Sequence, residues 1–83
     1  MVSDAERAVL LAIDGSDVPI DTPATCARVA LIVVTEARLA LDALANGHLI
    51  DWTPAIRDED GSITIPAHWE VTAQGRQALT DTA

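Results

Sequence analysis

The side chains best equipped for chemistry are Cys26, His48, His68 and five arginines, in a chain of 83 residues without lysine. A thiol beside an imidazole pairs a nucleophile with its base, and imidazoles among carboxylates suit a metal ion. Neither constellation assembles in this sequence. No third group is spaced to orient a histidine against Cys26, and no spacing suggests an oxyanion element. A lone cysteine forms no internal disulfide and no cysteine zinc site, so Cys26 reads as a small buried hydrophobe. His48 is expected just past a helix end and His68 on the polar face of a ribbon, apart from each other. No glycine loop cradles phosphate. The expectation is a non-enzyme with no cofactor and no metal.

The arginines remain, outnumbered by 13 acids that set a net charge of −8. Such a balance opposes non-specific attraction to nucleic acid or anionic membrane, because neutralising phosphates needs clustered cations. A salt-rich cytoplasm or a GC-rich genome would each account for abundant Asp and absent Lys. No apolar stretch approaches a membrane span, and acid precedes the first apolar run where a signal peptide carries base. A cytoplasmic protein forming one domain over residues 1–83 is expected. With 49% apolar residues, no Phe or Tyr and two Trp, its core should be aliphatic and gathered around Trp52 and Trp69.

Helix signals come first along the chain. Ser3 and Glu6 form a capping box ahead of Val9, Leu10 and Ile13, and Gly15 stops the run, giving a helix over 4–14. Thr22 then caps a second helix over 23–31, with Pro23 at the first helical position, where a missing N–H costs nothing. No Gly or Pro interrupts residues 24–46, so one long helix is possible. Three consecutive β-branched residues before Thr35 favour a break, with Thr35 capping a helix over 36–45 and Asn46-Gly47 ending it in a left-handed turn.

After Gly47 the pattern alternates. "HLIDWTPAI" and "SITIPAHWEV" flank "RDEDG", a hairpin signal. With Asp60 and Gly61 as the two turn residues, Ile56 faces Ile65 and Trp52 faces Trp69, while Thr53, Ala55, Arg57, Thr64 and His68 fall on the other face. Pro54 and Pro66 suit a ribbon with open edges. Thr72 caps a short last helix, "AQGRQAL", which Gly75 weakens.

This order, with "LALDALANGHLI" leading into a hairpin that closes in "WEVTAQGRQAL", resembles the winged helix-turn-helix domain of MarR-like and PadR-like transcriptional regulators. The resemblance implies an α+β fold: a three-helix cluster, a two-stranded β-hairpin wing and a short C-terminal helix. "LALDALANGHLI" is similar to the recognition helix and first wing strand. "VTAQGRQAL" is similar to the closing signature, with Trp69 at its aromatic place. On the third helix Ala37, Ala40, Leu41 and Leu44 form the inward stripe. Thr35, Glu36, Arg38, Leu39, Asp42 and Ala43 then face outward.

The resemblance implies that this outward face enters the major groove of duplex DNA, with Thr35, Arg38 and Leu39 at base edges. Arg57 at the wing and Thr25 and Arg28 on the second helix would touch backbone. Asp42 and the wing-tip acids Asp58, Glu59 and Asp60 carry the wrong sign for phosphate. Surface pairs of Arg38 with Asp42, or Arg57 with a tip acid, are the alternative fates of those cations. A second function is therefore open, a protein-interaction module that docks a partner on Val33, Val34 and Leu39 or imitates DNA. A third is a structural dimer; a homodimer is also expected for the regulator, since two half-sites compensate for weak contacts in each.

Overall fold

In the computed structural model, which describes residues 2–81, four helices frame a two-armed ribbon. Helix α1 spans Asp4–Gly15, α2 Pro23–Ala30 and α3 Val34–Asn46. The ribbon follows as strands β1 (Ile50–Thr53), β2 (Ile56–Arg57), β3 (Ile63–Ile65) and β4 (His68–Val71). Helix α4, Ala73–Asp81, closes the order.

The N-caps expected of Ser3 and Thr22 form. The Ser3 hydroxyl accepts the Glu6 N–H at 3.1 Å while Glu6 accepts the Ser3 N–H at 2.7 Å. Thr22 accepts the Thr25 N–H at 3.2 Å, with Pro23 in the first turn. The break between α2 and α3 is also real, but its chemistry differs from expectation. Leu31 adopts the left-handed region (φ 60°, ψ 42°), and the Ile32 N–H reaches back to the Ala27 carbonyl at 3.1 Å. That closes α2 one residue earlier than expected and leaves Leu31, Ile32 and Val33 between the two helices. Val33, which has no side-chain acceptor, stands at the N-cap, so Thr35 lies inside the first turn instead of capping it. At the far end Gly47 is not left-handed (φ −86°); His48 takes that role at φ 62°.

The core is aliphatic and helical. Val9, Leu10, Ile20, Cys26, Ala27, Ala37, Ala40, Leu41, Leu44 and Ile50 form one cluster, to which α3 contributes its expected inward stripe. The expectation of a tryptophan-centred core is corrected. Trp52 and Trp69 meet edge to face with centroids 5.2 Å apart, but Trp52 is 48% exposed and Trp69 half-buried at the margin. Alanine-rich faces let α1, α2 and α3 approach closely enough to exclude rings, and only Ile50, at the ribbon's base, is sealed into the core.

Ribbon register follows expectation: Trp52 pairs with Trp69 and Ile56 with Ile65. Its tip does not. The Gly61 N–H bonds to the Asp58 carbonyl at 3.1 Å and the Asp58 N–H to the Ser62 carbonyl at 3.0 Å, so Glu59, Asp60 and Gly61 form a three-residue turn, with Gly61 at φ 90°. Arg57 then pairs with Ile63, and a bulge next to Ile56 restores the expected register. An extra turn residue and a bulge cancel. The prolines divide the ribbon into two ladders, β1 with β4 and β2 with β3, because neither Pro54 nor Pro66 has an N–H to donate.

Candidate nucleic-acid interface

Packing of α2 and α3 against α1 and the ribbon base leaves one side of α3 uncovered. Thr35, Arg38, Leu39 and Asp42 are exposed there, at spacings of three and four residues that place them in one strip. Glu36 and Ala43 are exposed beside them. Among the described residues Arg38 forms no ion pair or side-chain hydrogen bond, so the expected alternative pairing with Asp42 does not occur. Its guanidinium is presented to solvent.

The other expected contacts are placed less uniformly. Thr25 is half-buried in the first turn of α2, where its hydroxyl oxygen accepts the Thr22 hydroxyl at 3.1 Å. Arg28 is exposed in the last turn of the same helix, a position that suits a cation. Arg57 folds back on the wing, its Nη1 donating to the Gly61 carbonyl at 3.0 Å. That contact replaces the expected pair with a tip acid. Asp58, Glu59 and Asp60 are all exposed around it. Asp60 is held down to about 2 by its hydrogen bond with the Asp58 side chain and by donors from Ser62. The structure therefore joins Thr35, Arg38 and Leu39 on one helix face and leaves Arg57 on a separate element.

The helix-turn-helix corner carries a feature that sequence reasoning captured only in part. Leu31, Val33, Val34 and Leu39 are 89%, 62%, 52% and 61% exposed, an oily margin along the start of α3. Val33, Val34 and Leu39 stand out from the inward stripe by spacing alone. Leu31 does not, because only its left-handed backbone turns it outward, and nothing in a leucine announces that conformation.

The wing and α4 are fastened by the closing segment. The Thr72 hydroxyl donates to the His48 carbonyl at 2.8 Å and accepts the Gly75 N–H at 3.1 Å, while the Thr72 N–H donates to the Leu49 carbonyl at 3.0 Å. A Cβ on Gly75 would collide with the Leu49 carbonyl oxygen and lie 2.7 Å from Val71 Cγ1. Gly75 is thus required by close approach, and its expected role as a helix weakener is secondary. Arg76 adds a contact of 3.6 Å from its Nε to Asp14.

No helix among the described residues is long and apolar enough to cross a membrane. No protein-family model and no curated protein matches the sequence. Solved structures do. A zinc-responsive MarR family member, ZitR of Lactococcus lactis, superposes with a TM-score of 0.67 at 18% identity over 99% of this chain and 51% of its own. FabT of Streptococcus pneumoniae, solved in complex with DNA, gives 0.62 at 18% identity over 98% of this chain and 52% of its own. A putative DNA-binding protein from Ralstonia eutropha gives 0.60 at 20% identity, covering 99% of this chain and 98% of its own. This chain therefore spans about half the length of ZitR and FabT. At these identities the likeness concerns architecture: the chain has the winged helix-turn-helix fold, α+β, with helices α1–α3, a hairpin wing and α4.

Proposed function

We propose that this protein is a non-enzymatic transcriptional regulator that binds duplex DNA, laying the outward strip of α3 in the major groove with the 57–61 wing beside it. Arg38 is the reading residue, able to donate two hydrogen bonds to a guanine edge, while Thr35 and Leu39 contact neighbouring bases. Thr25, Arg28 and Arg57 meet sugar and phosphate and set the register. A homodimer would present two copies of α3 to two half-sites, which offsets the small number of cations in each.

The observation that carries this reading is the unpaired, exposed Arg38 on the helix that follows the turn, in a fold shared with FabT, a protein solved with DNA. Selection from a randomised duplex pool tests it. The expected result is enrichment of a defined sequence by the wild-type chain and loss of that enrichment with Arg38→Ala; a pool returned unchanged would reject base reading.

One observation favours a second reading. The exposed Leu31, Val33, Val34 and Leu39, with Glu36 and Asp42 nearby, have the apolar centre and polar rim of a protein-docking surface, whether or not the acids imitate DNA. On that reading a partner protein is retained by the wild-type chain and released by Leu39→Asp, and no duplex is bound at any ionic strength.

A further inference from the structure

A cleft of about 370 Å³ opens on another part of the molecule, between the 14–20 segment, strand β4 and the first turn of α4. Its size falls in the range of small-molecule sites. Val18 and Ile20 line one wall, and Ile65, Trp69 and Val71 the other. Both walls are held. The Ser16 hydroxyl donates to the Val18 carbonyl at 2.8 Å and accepts the Val18 N–H at 3.0 Å, and the Trp69 N–H donates to the Ile20 carbonyl at 2.8 Å.

The polar groups of the cleft are mostly acids: Asp14, Asp17 and Glu70 stand with the guanidinium of Arg76 and the imidazole of His68. Arg76 is already engaged by Asp14 at 3.6 Å, and His68 Nε2 lies 3.1 Å from Glu70. Asp17 has no hydrogen bond or ion pair among the described residues. An unengaged carboxylate thus stands at a cleft whose lining mixes acids with Val18, Ile20, Ile65, Trp69 and Val71.

We infer that this cleft binds a small amphipathic organic cation, an ammonium or amidinium group on an aromatic or branched aliphatic body. The charge meets Asp17 and Glu70, and the body lies between Val18 and Trp69. An organic anion of the same shape is excluded by the surplus of carboxylates. None of the proposed DNA contacts lines the cleft, so this site stands or falls independently of DNA binding.

Titration of the full chain with phenethylammonium, followed by calorimetry and by the Trp69 indole N–H resonance, tests the assignment, with 3-phenylpropionate as the matched anion. Expected are saturable binding of the ammonium with movement of the Trp69 resonance, and no binding of the carboxylate at the same concentrations. Asp17→Asn should weaken the ammonium about fivefold, the scale of one partly solvated charge pair, and Glu70→Gln should weaken it similarly. Both side chains are exposed, so both variants keep the fold, and their indole spectra verify this. An ammonium that does not saturate, an anion that binds equally well, or affinity indifferent to both substitutions would overturn the proposal.

Discussion

Gly75 shows how a local rule and a distant contact oppose each other at one residue. Within a helix, Gly→Ala ordinarily adds about 1 kcal/mol of stability. Here the added methyl would strike the Leu49 carbonyl oxygen, just before β1, and the Val71 side chain, at the end of β4, so both sides of the ribbon base resist it. Gly75→Ala is therefore expected to destabilise the protein by about 2 kcal/mol or more, the scale of overpacking, as a lowered urea midpoint. His68 supplies a pH test. Its Nδ1 meets the Pro66 carbonyl at 2.8 Å, which, with a smaller contribution from Glu70, raises the imidazole above its ordinary 6.5 despite opposition from burial. A group whose affinity for protons rises on folding stabilises the fold while it is protonated. The contribution is complete below 6.5 and is lost as pH climbs through the raised folded value. Urea midpoints taken between about pH 6 and about pH 9 should fall with pH, and His68→Asn should reduce that fall.

The elements were legible in the sequence wherever the determining interaction is local. Ser3 with Glu6 and Thr22 with Pro23 marked two helix starts because a cap bonds residues only three apart. Hairpin register was recoverable because alternation sorted Trp52 and Ile56 from Thr53 and Arg57. The turn itself was not, since a three-residue loop plus a bulge gives the same pairing beyond it. The α2–α3 corner was hardest. Its break rests on Leu31 in a left-handed conformation, which costs a leucine about 1 kcal/mol and is imposed by the packing of two helices on α1. Asparagine tolerates that backbone better, and the leucine side chain buries little in return. Leu31→Asn should accordingly raise stability by about 0.5 kcal/mol, seen as a higher urea midpoint, and shrink the oily margin of the corner. A loss of stability would mean that Leu31 makes contacts its exposure does not suggest. For the candidate site, spacing placed Thr35, Arg38 and Leu39 together because they share one helix face. Arg57's attachment to Gly61 depends on the unforeseen tip.

At the scale of the molecule, a net charge of −8 and a duplex are an unfavourable pair, and the account requires local arginines to overcome a repulsive whole. Salt separates these contributions. At about 1 M the screening length is about 3 Å, which removes the long-range repulsion and preserves contacts at bonding distance. Arg28 and Arg57 on phosphates contribute a log–log slope of about −2 per copy, about −4 for a homodimer, which relief of the repulsion partly offsets, so the net slope stays shallow beside that of a strongly basic binder. The same length scale bears on assembly, because two acidic copies approach each other more easily in salt.

Duplex titration across a salt series, comparing the wild-type chain with Arg38→Ala on the selected sequence, tests the central claim most directly. Wild-type binding with that shallow slope is expected, together with about tenfold or greater weakening by Arg38→Ala, the scale of one lost bidentate base contact. Absence of wild-type binding at every ionic strength, or equal affinity for the two chains, would contradict the assignment of α3 as a DNA-reading helix.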